Sequence, residues 1–340
     1  MSKKINFSKE EDLIIKILFD RKINDIKIFD KINFDKIVKI ASSELILPTI
    51  YVKLKVKKLL EKFPDELINY LKKIYLLNRE RNRNLISESQ KISEILNSNK
   101  INHIFIKGAA YIMSDIYEDY GERMIGDIDI LVEDQDIKKC KKILIENGYK
   151  KHKFSFYSER HLPRMIHENK IFALEIHNKL FDKKNQKINI KNIMNKRIKI
   201  NNIYVGTMFY QFLYNIYSFQ INDVGSAKLN FSIRNIYDSY RILNEGNINV
   251  NEIIVDKEIN NYFLYTNIIG ITKINLIDNF RNKINFKRIK LKRELRYYNR
   301  LENFVVGGIY KLKKRPKQLA MFLKDKNYRK YICNKIFMKN

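Results

Sequence analysis

The sequence predicts an α/β (α+β) fold: a small mixed sheet with flanking helices, set between an N-terminal helical region and a C-terminal helical domain. Three observations carry this expectation. Short apolar runs gather between residues 101 and 180 and have the length of buried strands. Apolar residues recur at helical spacing before and after that stretch. Glycine and proline number only 10 and 4, too few for a chain of strands and tight turns.

Residues 7–62 read as short helices broken at Asn and Asp turns, with Pro48 as an interruption. Pro64 followed by Asp65 and Glu66 is a helix start. Leu67, Leu71, Ile74, Leu85, Ile92 and Leu96 then supply the apolar stripe of a long helix ending near Asn97. The run Ile104–Ile106 is a first strand, followed by Lys107, Gly108 and a helix from Ala109 to Tyr117. A second strand lies in "GDIDILVED", where Ile128, Ile130 and Val132 face a core. Asp134 or Asp136 caps the next helix, which carries the stripe Ile137, Cys140 and Leu144 and closes at Gly148. Residues 150–157 and 171–177 read as further strands. Residues 182–202 form a polar connector that could hold a hairpin, and helical patterns resume from Thr207 to Leu243 and after Asn251. The expected division is therefore 1–99 helical, 100–181 catalytic core, and 182–340 connector with a basic helical domain.

The chemistry begins with Asp127 and Asp129. An i, i+2 pair on a strand points both carboxylates the same way. Such a pair repels itself unless a cation lies between, and hard oxygen ligands at that spacing suit Mg²⁺ or Mn²⁺. The alternative is a solvated strand end. A repelling pair also predicts that its removal costs the metal-free fold little. Upstream, strand, glycine and helix start make a geometry fit for phosphate: Gly108 admits close backbone approach, and Lys107 offers a point charge. An ordinary strand-to-helix turn would look the same. Downstream, Glu175 and His177 form another same-face pair in "ALEIH". A strand placing Glu175 beside the two aspartates would give three carboxylates, enough for two metal ions. His177 could serve as a base, a substrate contact or a support for a ligand, or be a satisfied structural histidine.

In this order, "KG", an arginine shortly before "DIDILV", a helix ending in "GY" and a later "EIH" strand resemble the nucleotidyltransferase superfamily of DNA polymerase beta type. The likeness is to a bacterial group of uncharacterised nucleotidyltransferase-like proteins. The matching residues are Lys107 and Gly108, Arg123, Asp127 and Asp129, Gly148 and Tyr149, and Glu175 and His177. The likeness extends over about residues 45–245, including "LPTIYVKL", the long helix and, more faintly, "IRNIYDSYRIL" with Asp238. The resemblance implies a Mg²⁺-dependent enzyme with a nucleoside triphosphate as donor. Asp127, Asp129 and Glu175 would hold metal. Lys107, Gly108, Ala109, Arg123 and His177 would bind the donor, and the acceptor would be a hydroxyl of a glycan, natural product or other small molecule. In relatives a serine or glycine usually follows the glycine, and the serine hydroxyl helps hold phosphate; here Ala109 removes that ligand. Arg123 offers a fork to phosphate or a salt bridge to Asp119 or Glu122. Tyr214 and Phe219 stand where relatives often carry histidines and read as core. Three other readings share these residues. They are a toxin-like enzyme acting on tRNA, a D-x-D glycosyltransferase, and a nucleotide-binding module without activity.

Composition sets the surroundings. Cys140 and Cys333 are the only cysteines, which excludes a disulfide framework and a zinc–cysteine cluster and fits a reducing compartment. The opening "MSKKINFSKEEDL" has no apolar leader and no 18-residue apolar run exists, so the expected place is cytoplasmic, or peripheral at the inner membrane face. The net charge is +29, and residues 281–340 hold 20 Lys or Arg against three acids, so 17 of those charges lie there. Abundant Lys, Ile and Asn is what an A/T-rich coding sequence gives, but such a bias would spread the charge evenly. Ile289, Arg293 and Arg296 with Leu291, Leu295 and Tyr298 could form a basic amphipathic helix. Such a helix could grip RNA, lie on an anionic membrane, or be a solvated face. Arg160, His161, Arg164 and His167 fall in a loop near the third strand, where surface salt bridges to Glu159 and Glu168 are the default.

Overall fold

The computed structural model describes residues 7–19, 29, 31–153, 160–181, 188–250, 253, 255–276, 279–324 and 326–337. The chain opens with α1 (Lys9–Leu18), α2 (Phe34–Ser43), α3 (Leu47–Val56) and the long α4 (Asp65–Ser98). The sheet region follows as β1 (His103–Ile106), α5 (Lys107–Met113), β2 (Asp127–Val132), α6 (Ile137–Glu146), β3 (Lys150–Lys151), β4 (Met165–Ile166) and β5 (Ala173–His177). Then come α7 (Ile190–Asn195), the hairpin β6 (Ile198–Ile200) and β7 (Ile203–Val205), and α8 (Met208–Tyr217). The C-terminal helices are α9 (Gly225–Lys228), α10 (Ile233–Glu245), α11 (Lys257–Ile268), α12 (Phe280–Glu294), α13 (Arg296–Lys324) and α14 (Lys326–Phe337).

Among the described residues the strands form one mixed sheet in the order β3-β4-β5-β2-β1-β7-β6. Antiparallel β1 and β2 form its centre, with β5 parallel to β2 and β7 parallel to β1. The apolar runs dictate this centre: Ile104, Phe105, Ile128, Ile130, Leu174 and Ile176 are fully buried. A sheet buried on both faces gives continuous apolar runs rather than strict alternation, and all four residues of β1 are indeed buried. The helix α5 packs on β1 and β2, and α4 reaches β7. The fold is α/β, as expected, and the carboxylates of β2 and β5 occupy its polar end.

Several local expectations change. Pro48 starts α3 from its first turn instead of interrupting the helices, a position where its missing N–H costs nothing. The helix after Gly108 begins at Lys107 and ends at Met113, short of Tyr117. Asp136 stands at the start of α6 but makes no side-chain cap bond. Of the strand expected over 150–157, Lys150–Lys151 forms β3, while 154–159 lies outside the described residues. The connector does hold a hairpin, and β7 joins it to β1 through Phe105 and Val205. The sheet therefore continues past residue 181, because the hairpin's Ile203 and Val205 bury themselves on the edge that β1 leaves open. The amphipathic helix drawn through Leu295 is broken: α12 stops at Glu294, Leu295 takes extended angles, and Arg296 starts α13. Ile289 is buried on one face, whereas Leu291 and Leu295 are exposed on another.

Candidate active site

The register of β2 on β5 assembles the acids. Asp129 lies opposite Glu175, and Asp127 opposite Ala173. Side chains two apart share a face, so Asp127, Asp129, Glu175 and His177 all project from one side of this strand pair. The atoms of Asp129, Glu175 and His177 that could hold a metal lie within 4.8 Å of one another. Asp127 stands one pleat away and is tied to Glu175 through Arg164, whose Nη2 is 2.8 Å from Asp127 Oδ2 and 2.7 Å from Glu175 Oε1.

Two cations balance the acids. Lys107 donates to Asp129 Oδ1 from one side, and its Nζ lies 3.9 Å from Glu175. Arg164 spans the other side. His177 Nε2 is 2.8 Å from the same Asp129 oxygen, and its buried Nδ1 has no hydrogen-bond partner among the described residues. Burial, together with the charges of Asp129 and Glu175, pushes the Asp127 carboxyl up to about 6. Burial works against the charge of Glu175 too, but His177, Lys107 and Arg164 hold it well below the usual carboxylate range. Burial also opposes the Lys107 ammonium, but Asp129, Tyr214 and Glu175 together outweigh it, so that group stays protonated well above its ordinary value. Three carboxylates and an imidazole in one cluster are the oxygen-rich donor set that Mg²⁺ or Mn²⁺ takes. By that chemistry the residues present fit a divalent ion.

The backbone around the cluster is held under constraint. Lys107 sits at φ 56°, a left-handed conformation rare for a side chain of its size. A Cβ on Gly108 would come within 2.9 Å of Ile125, so glycine is required there by close packing against the loop before β2. That loop is pinned by α4. The buried Asn78 amide donates to Gly121 O and Arg123 O, and Asn82 donates to Tyr120 O and Arg123 O. Arg81 donates to Ile125 O at 2.7 Å and lies over the Phe172 ring. Asn78, Asn82 and Arg81 thus aim β2 at the site. The signal of Asn78 and Asn82 in the sequence is two asparagines four apart between the apolar positions Leu71 and Leu85 of the helical stripe.

A cavity of about 410 Å³ opens beside the acids. Lys107, Gly108, Arg123, Asp127 and Asp129 line it, together with residues of α8, α10 and the π-helical turn Ser218–Asn222. Ala109, Glu175 and His177 are not among its lining residues. Arg123 pairs with Asp238 at 2.9 Å, not with Asp119 or Glu122. Asp238 also accepts from the Tyr117 hydroxyl at 2.8 Å, so this aspartate is a buried structural partner. Asp119 instead pairs with Arg79, and Glu122 accepts from Tyr237. Tyr214 is core, as read, while half-buried Phe219 lines the cavity. Arg164 is the main correction: it bridges the site carboxylates because β4 pairs with β5 through Met165 and Leu174. Glu168, its expected surface partner, pairs with Lys150.

Among the described residues no helix is long and apolar enough to cross a membrane. No curated protein matches the chain. The model of a family described as uncharacterised nucleotidyltransferase matches residues 30–261, about two thirds of the sequence.

Proposed function

Since the chain belongs to this nucleotidyltransferase family, we propose that it transfers a nucleoside monophosphate from a nucleoside triphosphate to a hydroxyl acceptor. The acceptor oxygen attacks the α-phosphorus, the bond to the β-phosphate oxygen breaks, and pyrophosphate leaves. The observation carrying this reading is the convergence of Asp127, Asp129 and Glu175 on one sheet face beside a cavity entered by the Lys107–Gly108 turn. Asp129, Glu175 and His177, with Asp127 adjoining, would hold Mg²⁺ or Mn²⁺. A divalent ion there polarises phosphoryl oxygens and makes the acceptor hydroxyl easier to ionise. Glu175, kept ionised by its cationic neighbours, suits a ligand role. Lys107 supplies positive charge where phosphate enters. Arg123, committed to Asp238, steadies the cavity wall. Positioning and electrostatics supply most of the acceleration in such transfers.

The test is incubation of the purified chain with Mg²⁺ and each α-labelled nucleoside triphosphate, with a small-molecule extract or total tRNA as acceptor. Label on a small hydroxyl compound supports the proposed acceptor class. Label on tRNA would move the protein to the toxin-like reading. Transfer of sugar from a nucleotide-sugar would instead favour the glycosyltransferase reading, which family membership disfavours. No transfer and no nucleotide binding would leave a module without activity.

A second reading concerns the C-terminal surface. Along α13, Tyr297, Leu301, Val305, Ile309, Leu312, Leu319 and Leu323 are exposed. Their spacing of three, four or seven places them on one helical face. The same helix holds eight Lys or Arg and one acid, Glu302. An exposed apolar stripe on a basic helix favours an anionic lipid surface over RNA, which needs no apolar face.

A further inference from the structure

The cavity beside the acids contains a cation that has no hydrogen-bonded or ion-paired partner among the described residues. Arg234 lies in the first turn of α10 and lines the same space as Asp127 and Asp129. Among the described residues it makes no hydrogen bond or ion pair. The acids near it are already used. Asp238, one turn along the same face of α10, takes Arg123 and the Tyr117 hydroxyl. Glu44 accepts from the Ser232 hydroxyl at 2.8 Å and from the Ile233 amide at 2.9 Å, capping α10. Burial and the neighbouring Arg123 disfavour the charge on Arg234 and outweigh the pull of Asp238 and Glu44. A half-buried guanidinium of this kind costs stability unless an anion meets it.

The chemistry of the opening favours phosphate. A guanidinium presents a planar fork of donors that matches phosphoryl oxygens. Lys107 and the acids line the cavity, as do Arg234 and the turn carrying Ser218 and Asn222. Ala109, which follows the glycine, is buried and offers no hydroxyl. We propose that Arg234 binds the β- and γ-phosphates of the donor nucleotide and supplies the contact that Ala109 cannot make. The inference rests on the nucleotidyltransferase reading and deepens it. The α-phosphate end would lie toward Asp127 and Asp129, and the pyrophosphate end toward α10. As pyrophosphate departs, the developing charge meets a fixed guanidinium rather than water.

The experiment is calorimetry of the full chain with Mg²⁺ and each of the four α,β-methylene nucleoside triphosphates, repeated with inorganic pyrophosphate. Wild type, Arg234→Gln, Arg234→Lys and Asp129→Asn are compared. Wild type is expected to bind at least one triphosphate. Arg234→Gln should weaken that binding, and pyrophosphate binding, by roughly 10- to 100-fold, the worth of a charged hydrogen-bonded contact. Arg234→Lys should fall between, since it keeps the charge but loses the fork. The melting temperature of Arg234→Gln should equal or exceed that of wild type, because a half-buried cation without a bonded partner has been removed. Undiminished triphosphate and pyrophosphate affinity in Arg234→Gln, with loss in Asp129→Asn, would overturn the assignment and leave the nucleotidyltransferase reading standing. A wild-type chain that binds none of the four would overturn both.

Discussion

Around β2 and β5 each carboxylate of the candidate site has a cation or an imidazole against it: Lys107 and His177 on Asp129, Arg164 on Asp127 and Glu175. Along α13 the cations of the sequence accompany a line of exposed apolar side chains and a single acid. The first arrangement fixes charges at defined distances inside a sheet, so altering one disturbs the chemistry and, where the pair is buried, the stability as well. The second leaves charge on a surface, where its effect is on attraction to something outside the chain. The contrast explains how a protein of net charge +29 can still build an acidic centre. Its acids are gathered on two neighbouring strands, and its surplus base is carried largely by the last helices.

Breaking the sheet arrangement should give the largest effect. Asp129→Asn is expected to reduce transfer by roughly 10³-fold or more, the equivalent of several kcal/mol of metal-assisted stabilisation. Asp129→Ala should also destabilise the metal-free protein by about 2–4 kcal/mol, since Lys107 loses its buried partner. Asp127→Ala should abolish transfer while changing stability by less than about 1 kcal/mol, because Arg164 is 45% exposed. This separates two residues that sequence alone treats as an equivalent repelling pair whose loss the metal-free fold would tolerate. Thermal melts without metal, alongside turnover assays, check the difference.

A buried acid away from the cluster tests the same logic through pH. Glu122 is raised from 4.5 to about 7 by burial, against the bond from Tyr237. The folded state therefore holds this proton more tightly than the unfolded chain. Its contribution to stability is complete below pH 4.5 and fades as pH rises through about 7. Glu122→Gln should flatten that slope and remove a loss of up to about 3 kcal/mol, the size of a shift of this extent. Denaturant unfolding at pH 5 and pH 8 measures it, and equal slopes in variant and wild type would contradict it.

The C-terminal surface should respond to apolar rather than charge-neutral changes. Leu301→Ser and Leu312→Ser are each expected to lower partitioning to vesicles rich in anionic lipid by roughly tenfold, from loss of apolar burial. Neither should alter nucleotide binding. If RNA were the partner, these variants would keep full affinity in a filter-binding assay and lose none to vesicles. The smallest effect is expected at Arg164. Arg164→Gln should change stability by under about 1 kcal/mol and tighten divalent-ion binding severalfold, by removing a competing cation from Asp127 and Glu175.

What the sequence disclosed follows from the range of each signal. Alternation along β2 and β5 is local, so the same-face placement of Asp127 with Asp129, and of Glu175 with His177, could be read directly. The pairing of Asp129 with Glu175 is a matter of register between distant strands, and there the likeness to a family supplied the expectation. Arg164 was visible as a residue but not as a bridge, because a two-residue strand such as β4 leaves no periodic trace. The Arg123–Asp238 pair spans 115 positions and had only nearer acids as candidates. The polar connector admits a hairpin at β6 and β7, but nothing local says that it extends the sheet on β1. Arg234 carried no signal in a chain where basic residues are everywhere; its lack of a bonded partner among the described residues is a fact of the fold alone.

Mn²⁺ titration of the purified chain, followed by electron paramagnetic resonance, addresses the acidic cluster most directly. Wild type should bind the ion, Asp129→Asn and Glu175→Gln should lose most of that binding, and a nucleoside triphosphate should tighten it. Equal Mn²⁺ affinity in wild type and both variants would contradict a metal centre on β2 and β5.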